Sequence, residues 1–243
     1  MQPFLRIPIG QAAKTARAAL GQARWAVLLA LLACTTRPLT EAERDLLAPL
    51  HGPTLATERV AIVRTPGVDL FPITFDARPR TTCRERIGRP REGRITVRTA
   101  GIVLFDTFFA APDFARSDYA AEMDGALDLP SAMFLAHEAT HVWQWQNRDV
   151  TGYHPAKAFL EQATIDDPYL FDETTEARFL DFGYEVQASL VEEYLCCATL
   201  DSNGARTLRL HDLLRQVMPV AEPEAFPRRV TVPWGEDLPG ICS

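Results

Sequence analysis

The sequence predicts an α+β fold: a mostly helical domain with a small edge sheet and two helices packed against each other. Three observations carry this expectation. The stretches "LPSAMFLAHEATHVWQWQNR" (129–148) and "YEVQASLVEEYLCCATL" (184–200) are long and contain no glycine, and their only proline, Pro130, sits where a first helical turn accepts one. The strand candidates "RVAIVRT" (59–65), "RITVR" (94–98) and "GIVLFD" (101–106) are short and rich in β-branched residues. Eighteen prolines among 243 residues forbid long uninterrupted elements elsewhere and predict a loop-rich chain.

The first 40 residues differ in character from the rest, with Arg6, Lys14, Arg17, Arg24 and Arg37 and no acidic residue. Between Arg24 and Arg37 lies "WAVLLALLAC", an apolar run about half the length of a membrane-spanning helix and the size of a signal-peptide core. Its end, Leu31-Leu32-Ala33-Cys34, resembles the lipobox of bacterial lipoproteins. That resemblance implies lipidation at Cys34, a membrane tether, and a periplasmic or membrane-anchored location in a bacterium. Residues 1–38 are therefore expected to be an export segment, and 39–243 a single domain with a core over about 95–218.

In "LTEAERDLLAPLHG" (39–52), Thr40 precedes Glu43 by three residues, a capping box that opens a short helix. The strand at 59–65 is closed by Pro66 and Gly67. The passage 78–98 holds eight arginines and reads as a solvated hairpin with its charges outward, "RITVR" pairing with "GIVLFD"; the other use of such a run is a basic patch for phosphate or anionic lipid. Gly152 and Pro155 are expected to end the 129–148 helix, and a loop-rich acidic stretch (164–183) leads to the 184–200 helix. That helix stops at Asn203-Gly204, and "RTLRLHDLLRQVM" (206–218) forms a third. Five prolines from Pro219 onward make the tail, 219–243, irregular.

A net charge of −7 argues against a general nucleic-acid binder. No C-x-x-C occurs, so a cysteine-bound structural metal is not expected. In an exported chain Cys242 is expected to pair with one of Cys83, Cys196 and Cys197, and the adjacent Cys196 and Cys197 not with each other.

The chemistry concentrates in "LAHEATHVWQWQ" (135–146). His137 and His141 stand four residues apart, so a helix presents both imidazoles on one face to one metal ion, with Glu138 at the edge of that face. A chance H-E-x-x-H is expected in about 0.7% of chains of this composition. Three protein ligands make an open, hydrolytic zinc site, so a third is needed. His154 lacks the spacing of H-E-x-x-H-x-x-G-x-x-H. Glu185 is the better candidate, because it opens the second helix and Ala188 and Ser189 would let the two helices approach closely. Glu192 and Glu193 compete with it, Glu192 also as a partner behind a ligand. Trp143 and Trp145 flank the motif helix as core or groove wall, with Gln144 or Gln146 facing solvent or the cleft.

Together "FLAHEATHVWQWQ" and "DFGYEVQASLVEEY" resemble the H-E-x-T-H-V-W-Q and E-x-Q-A pair of a bacterial zincin-like family, the extracellular contractile injection system core domains and vgr-related proteins, of gluzincin type. The resemblance implies Zn2+ held by His137, His141 and Glu185, with Glu138 as catalytic acid and base. It implies a metallopeptidase acting on a peptide or protein substrate. For the oxyanion that such a reaction develops, the residues themselves offer Tyr184, Tyr194 and His211 as candidate donors, against the alternative that each is structural. "GIVLF" (101–105) is the expected edge strand against which an extended substrate could lie. The other readings are a catalytically silent zincin-fold module in a secretion or envelope assembly, and a zinc store or scaffold.

Overall fold

A computed structural model describes residues 35–70, 72–172, 177–236 and 238–243; Cys34 and the apolar run before it lie outside them. The architecture is α+β. Two long helices, α3 (Leu129–Gln146) and α6 (Tyr184–Leu200), pack together at the centre, flanked by small sheets and shorter helices. Among the described residues no helix is long and apolar enough to cross a membrane.

Helix α1 (Glu41–His51) opens as expected. Thr40 accepts from the Glu43 amide at 3.1 Å, and the Glu43 carboxylate accepts from the Thr40 amide at 2.9 Å. That carboxylate is fully buried and also receives both Nη atoms of Arg37 at 2.7 Å. Leu46, Leu47 and Leu50 form the buried face of α1, which packs on α3.

The main sheet has the order β1-β2-β6-β5, built from Thr35–Pro38, Ala61–Arg64, Thr107–Ala110 and Gly101–Leu104. Strands β2 and β6 run parallel and the other pairs antiparallel. Residues 35–38, at the end of the expected export segment, thus form a strand of this sheet. Strand β5 occupies an edge and borders α3.

The pairing of "RITVR" with "GIVLFD" does not occur. Instead β4 (Arg94–Arg98) pairs with β3 (Pro72–Asp76), and β5 pairs with β6 through a two-residue turn in which Phe105 adopts φ +59°. Each strand finds its partner through a connection that local β-propensity does not reveal. The arginine-rich passage also differs from a solvated hairpin. A short helix, α2 (Cys83–Ile87), interrupts it and is bonded to α6 by the Cys83–Cys196 disulfide. Arg78, Arg80, Arg84 and Arg86 turn inward onto carboxylates and carbonyls, because the helix lies against the body of the domain.

Gly152, at φ +67°, closes the short helix α4 (Arg148–Thr151), but Pro155 starts a helix instead of stopping one. It is the first residue of α5 (Pro155–Thr164), whose amide at Ala156 is capped by His154 Nδ1. Gly204 is not a left-handed stop. It precedes α7 (Ala205–Leu214), and a Cβ there would lie 2.4 Å from the Cys242 carbonyl oxygen. The tail is mostly irregular but anchored. The Cys197–Cys242 disulfide holds its end, and β9 (Val230–Thr231) pairs with β8 (Ala126–Asp128), which also pairs with β7 (Glu122–Met123).

Candidate metal centre

Helices α3 and α6 make the most extensive contact between elements in the fold. Small buried Ala188 and Ser189 of α6, within a turn of Glu185, permit their close approach. The approach brings the first turn of α6 over the middle of α3. Oε2 of Glu185 lies 3.3 Å from Nε2 of His137 and 3.3 Å from Nε2 of His141. The three ligand atoms fall within 4.8 Å of one another, and all three residues are buried. Zinc bonds of about 2.0–2.1 Å at tetrahedral angles place neighbouring ligand atoms about 3.3 Å apart. The spacing around Glu185 and the two-imidazole, one-carboxylate donor set therefore fit a tetrahedral zinc ion with one position left open.

Each of the three candidate ligands is itself held. Gln144 Oε1 accepts from Nδ1 of His141 at 2.8 Å, while its amide nitrogen donates to Tyr184 O and to Gln187 Oε1. That orientation puts the proton of His141 on Nδ1 and leaves Nε2 for a cation. On the far side of His137, Nδ1 lies 3.3 Å from Glu192 Oε2, and Arg84 Nη1 reaches the same carboxylate at 3.2 Å. Glu185 is fixed through its backbone, because Glu161 of α5 accepts from the amides of Tyr184 and Glu185 and so caps α6. Gly183 makes room for that cap: a Cβ on it would stand 2.4 Å from Glu161 Oε1. Thr140, inside the motif, donates to the Ala136 carbonyl at 2.7 Å, so it accepts from Nε2 of buried His51 of α1 at 3.1 Å.

The electrostatics are those of a buried cluster of opposed charges. Burial alone would lower the pKa of His137, but its hydrogen bonds to Glu185 and Glu192 outweigh burial and raise it to about 10. Burial would raise Glu185, yet His141 and His137 hold it well below the usual carboxylate range. A divalent cation at the centre would take the place of the protons shared there. Glu138 behaves oppositely. Burial pushes it up to about 7, and among the described residues no group donates a hydrogen bond to it. Its carboxylate lies against Gly101 of β5, where a Cβ would approach Glu138 Oε1 to 2.6 Å.

No family model, curated protein or solved structure matches this chain.

Of the expected oxyanion donors, none is placed at the cluster. Tyr194 donates to the Ala221 carbonyl at 2.7 Å and stacks on His211, on the opposite face of α6. Tyr184 donates to the Gly152 carbonyl at 3.0 Å. The tyrosines that do border the site are Tyr153, stacked on His141 with ring centroids 6.1 Å apart, and Tyr169, 5.8 Å from the His137 ring. Burial raises both phenols above their usual pKa, so both keep their protons. Tyr169 Oη accepts from Gln162 at 2.8 Å, leaving its own proton to donate. Glu193 is drawn away to the amide of Cys83 and to Arg206. Trp143 is buried core and Trp145 packs on Phe105, while Gln144, expected at the solvent or cleft, is wholly buried behind His141.

Proposed function

We propose that this chain is a zinc-dependent metallopeptidase of gluzincin type, exported and acting at a bacterial envelope. The observation that carries the proposal is the convergence of two imidazole nitrogens on one oxygen of Glu185 at 3.3 Å each, beside a Glu138 carboxylate that makes no hydrogen bond among the described residues. A purely structural site has no use for Glu138. Zinc, when bound, supplies Lewis acidity and brings the pKa of a coordinated water toward neutrality. His137, His141 and Glu185 would hold it, with Gln144 and Glu192 setting the ring orientations.

Glu138, which lines the cleft and makes no hydrogen bond among the described residues, takes a proton from the attacking water and returns it to the leaving amine. We assign to Tyr169, which borders the cluster and keeps its proton, the role of donor to the oxygen on which negative charge develops. Strand β5, on the sheet edge beside Glu138, offers a backbone along which an extended peptide can add. Two buried disulfides support an oxidising compartment, consistent with export and with lipidation at Cys34.

The test is zinc content together with hydrolysis of a mixed fluorogenic peptide set, for the wild type, Glu138→Gln and Glu185→Ala. Zinc in the first two with hydrolysis only in the first supports a peptidase. Pure wild type without zinc, or undiminished hydrolysis in Glu138→Gln, sinks the proposal. Zinc in both with hydrolysis in neither favours the silent module.

A further inference from the structure

We infer that the cleft over Glu138 selects a peptide carrying apolar side chains on one side of the scissile bond and a carboxylate on the other. This rests on the peptidase reading above and adds the substrate class. Two cavities meet over the site and share Thr99, Gly101, His137, Glu138 and Tyr169. Their walls have opposite character.

The first arm, about 320 Å³, lies between edge strand β5 and helix α5. Ile102, Leu104, Pro155, Ala158 and Phe159 line it, and apart from Glu138 and the three metal-cluster residues its lining carries no charged side chain. Phe159 is 73% exposed and Leu104 44%, although both are large and apolar. Such surface at a cleft mouth fits apolar substrate side chains.

The second arm, about 390 Å³, lies under the β3–β4 hairpin. Ile73, Phe75, Ile95 and Val97 share one face of that hairpin through the register Ile73↔Val97 and Phe75↔Ile95, and with Phe134 they make an apolar floor. Around it stand six arginines against three glutamates. Arg78 and Arg84 are committed to Asp167 and Glu192. Arg89 and Arg91 are exposed on the connection between α2 and β4, and make no hydrogen bond or ion pair among the described residues. In a chain of net charge −7, this arm is a local concentration of positive charge beside a low-dielectric floor. Guanidinium groups in that position recognise carboxylates by paired, charge-assisted hydrogen bonds. The carboxylate can come from an aspartate or glutamate side chain, or from the C-terminus of the substrate.

The test uses fluorescein-labelled peptides with one constant apolar half. The other half carries Glu, Gln or Lys, and each is made with a free or an amidated C-terminus. Anisotropy on the full chain bearing Glu138→Gln reads binding without cleavage, and the wild type reads cleavage. The peptide bearing the recognised carboxylate, either Glu over Lys or a free over an amidated end, is expected to bind about tenfold tighter, and the double change Arg89→Glu, Arg91→Glu to reduce that ratio to about one. Preference for Glu with an amidated end assigns a side-chain carboxylate, and preference for the free end regardless of side chain assigns a terminal one; either supports the inference. Equal binding of all peptides, or binding of none, overturns it. Charge-selective binding without wild-type cleavage leaves the pocket standing and sinks the peptidase reading, while cleavage blind to charge does the reverse.

Discussion

Nδ1 of His137 lies 3.3 Å from Oε2 of Glu192, on the side of the ring away from Glu185. The same carboxylate oxygen is met by Arg84 at 3.2 Å, so a chain Arg84–Glu192–His137 runs from the arginine-rich passage into the candidate metal site. A carboxylate in this position fixes the tautomer and orientation of a ligating imidazole, and its loss costs about 10–100-fold in metal affinity. Glu192→Ala should therefore weaken zinc binding by about that factor in competition against a chromogenic chelator, with Arg84→Met showing a smaller loss in the same direction. Unchanged affinity in Glu192→Ala would reduce Glu192 to a packing residue.

On the proposed reading, Gly101 is the position at which metal binding and catalysis can be told apart. A Cβ there would lie 2.5 Å from Phe108 Cε2 and 2.6 Å from Glu138 Oε1. Both groups are buried, so the added methyl must displace the Glu138 carboxylate together with the Phe108 ring. Displacing a reacting group by about 1 Å can cost on the order of 100-fold in rate. Gly101→Ala is expected to keep full zinc occupancy while kcat/KM falls by about tenfold to a hundredfold. A variant that loses zinc in proportion to activity would show that Gly101 shapes the ligand set instead.

Tyr169 lines both arms of the cleft, and its hydroxyl already accepts from Gln162. If its proton goes to the developing oxyanion, Tyr169→Phe should lower kcat by about 10²–10³-fold with zinc content and KM little changed. Tyr194→Phe, whose hydroxyl is spent on Ala221, should leave kcat near wild type. Equal losses in the two variants would remove Tyr169 from that role.

Helical arithmetic explains much of what is legible in the sequence and what is not. Glu192 stands seven residues after Glu185, about two turns, and shares its face; Tyr194 stands nine residues on, about two and a half turns, and must point away. That spacing, present in the sequence itself, is sufficient to discount Tyr194 as an oxyanion donor. The pairing of His137 with His141, and the small residues of α6 beside Glu185, are equally legible. Gln144 is not, because a glutamine three residues past a histidine reads as surface until Gln187 of another helix is known to face it. Pro155 reads as a helix stop, although the same residue is equally at home at a helix start. The helix it starts supplies Glu161, the cap that fixes Glu185, so the ambiguity of one proline hides part of the site's support. Strand pairing is hidden for a different reason, since β-propensity marks strands and not their partners.

Stability has a titratable group of its own, at the back of α3. His51 is wholly buried between α1 and α3, and burial depresses its pKa from 6.5 to about 4. Its Nε2–H donates to Thr140, whose own proton is committed to Ala136, so a neutral ring meets the geometry. Between about pH 6.5 and 4 the unfolded chain binds a proton that the folded chain refuses, so folding stability falls as pH falls through this window and is fully present above it. From pH 7 to pH 5 the loss attributable to His51 is about 2 kcal/mol. His51→Leu removes the titration and leaves no donor unpaired, because Thr140 still donates to the Ala136 carbonyl. Urea unfolding of wild type and His51→Leu at both pH values isolates the difference, since the carboxylates and other histidines titrate alike in the two proteins. The variant should lose about 2 kcal/mol less than wild type between pH 7 and pH 5; parallel losses would mean that His51 accepts its proton in the folded chain as readily as in the unfolded one.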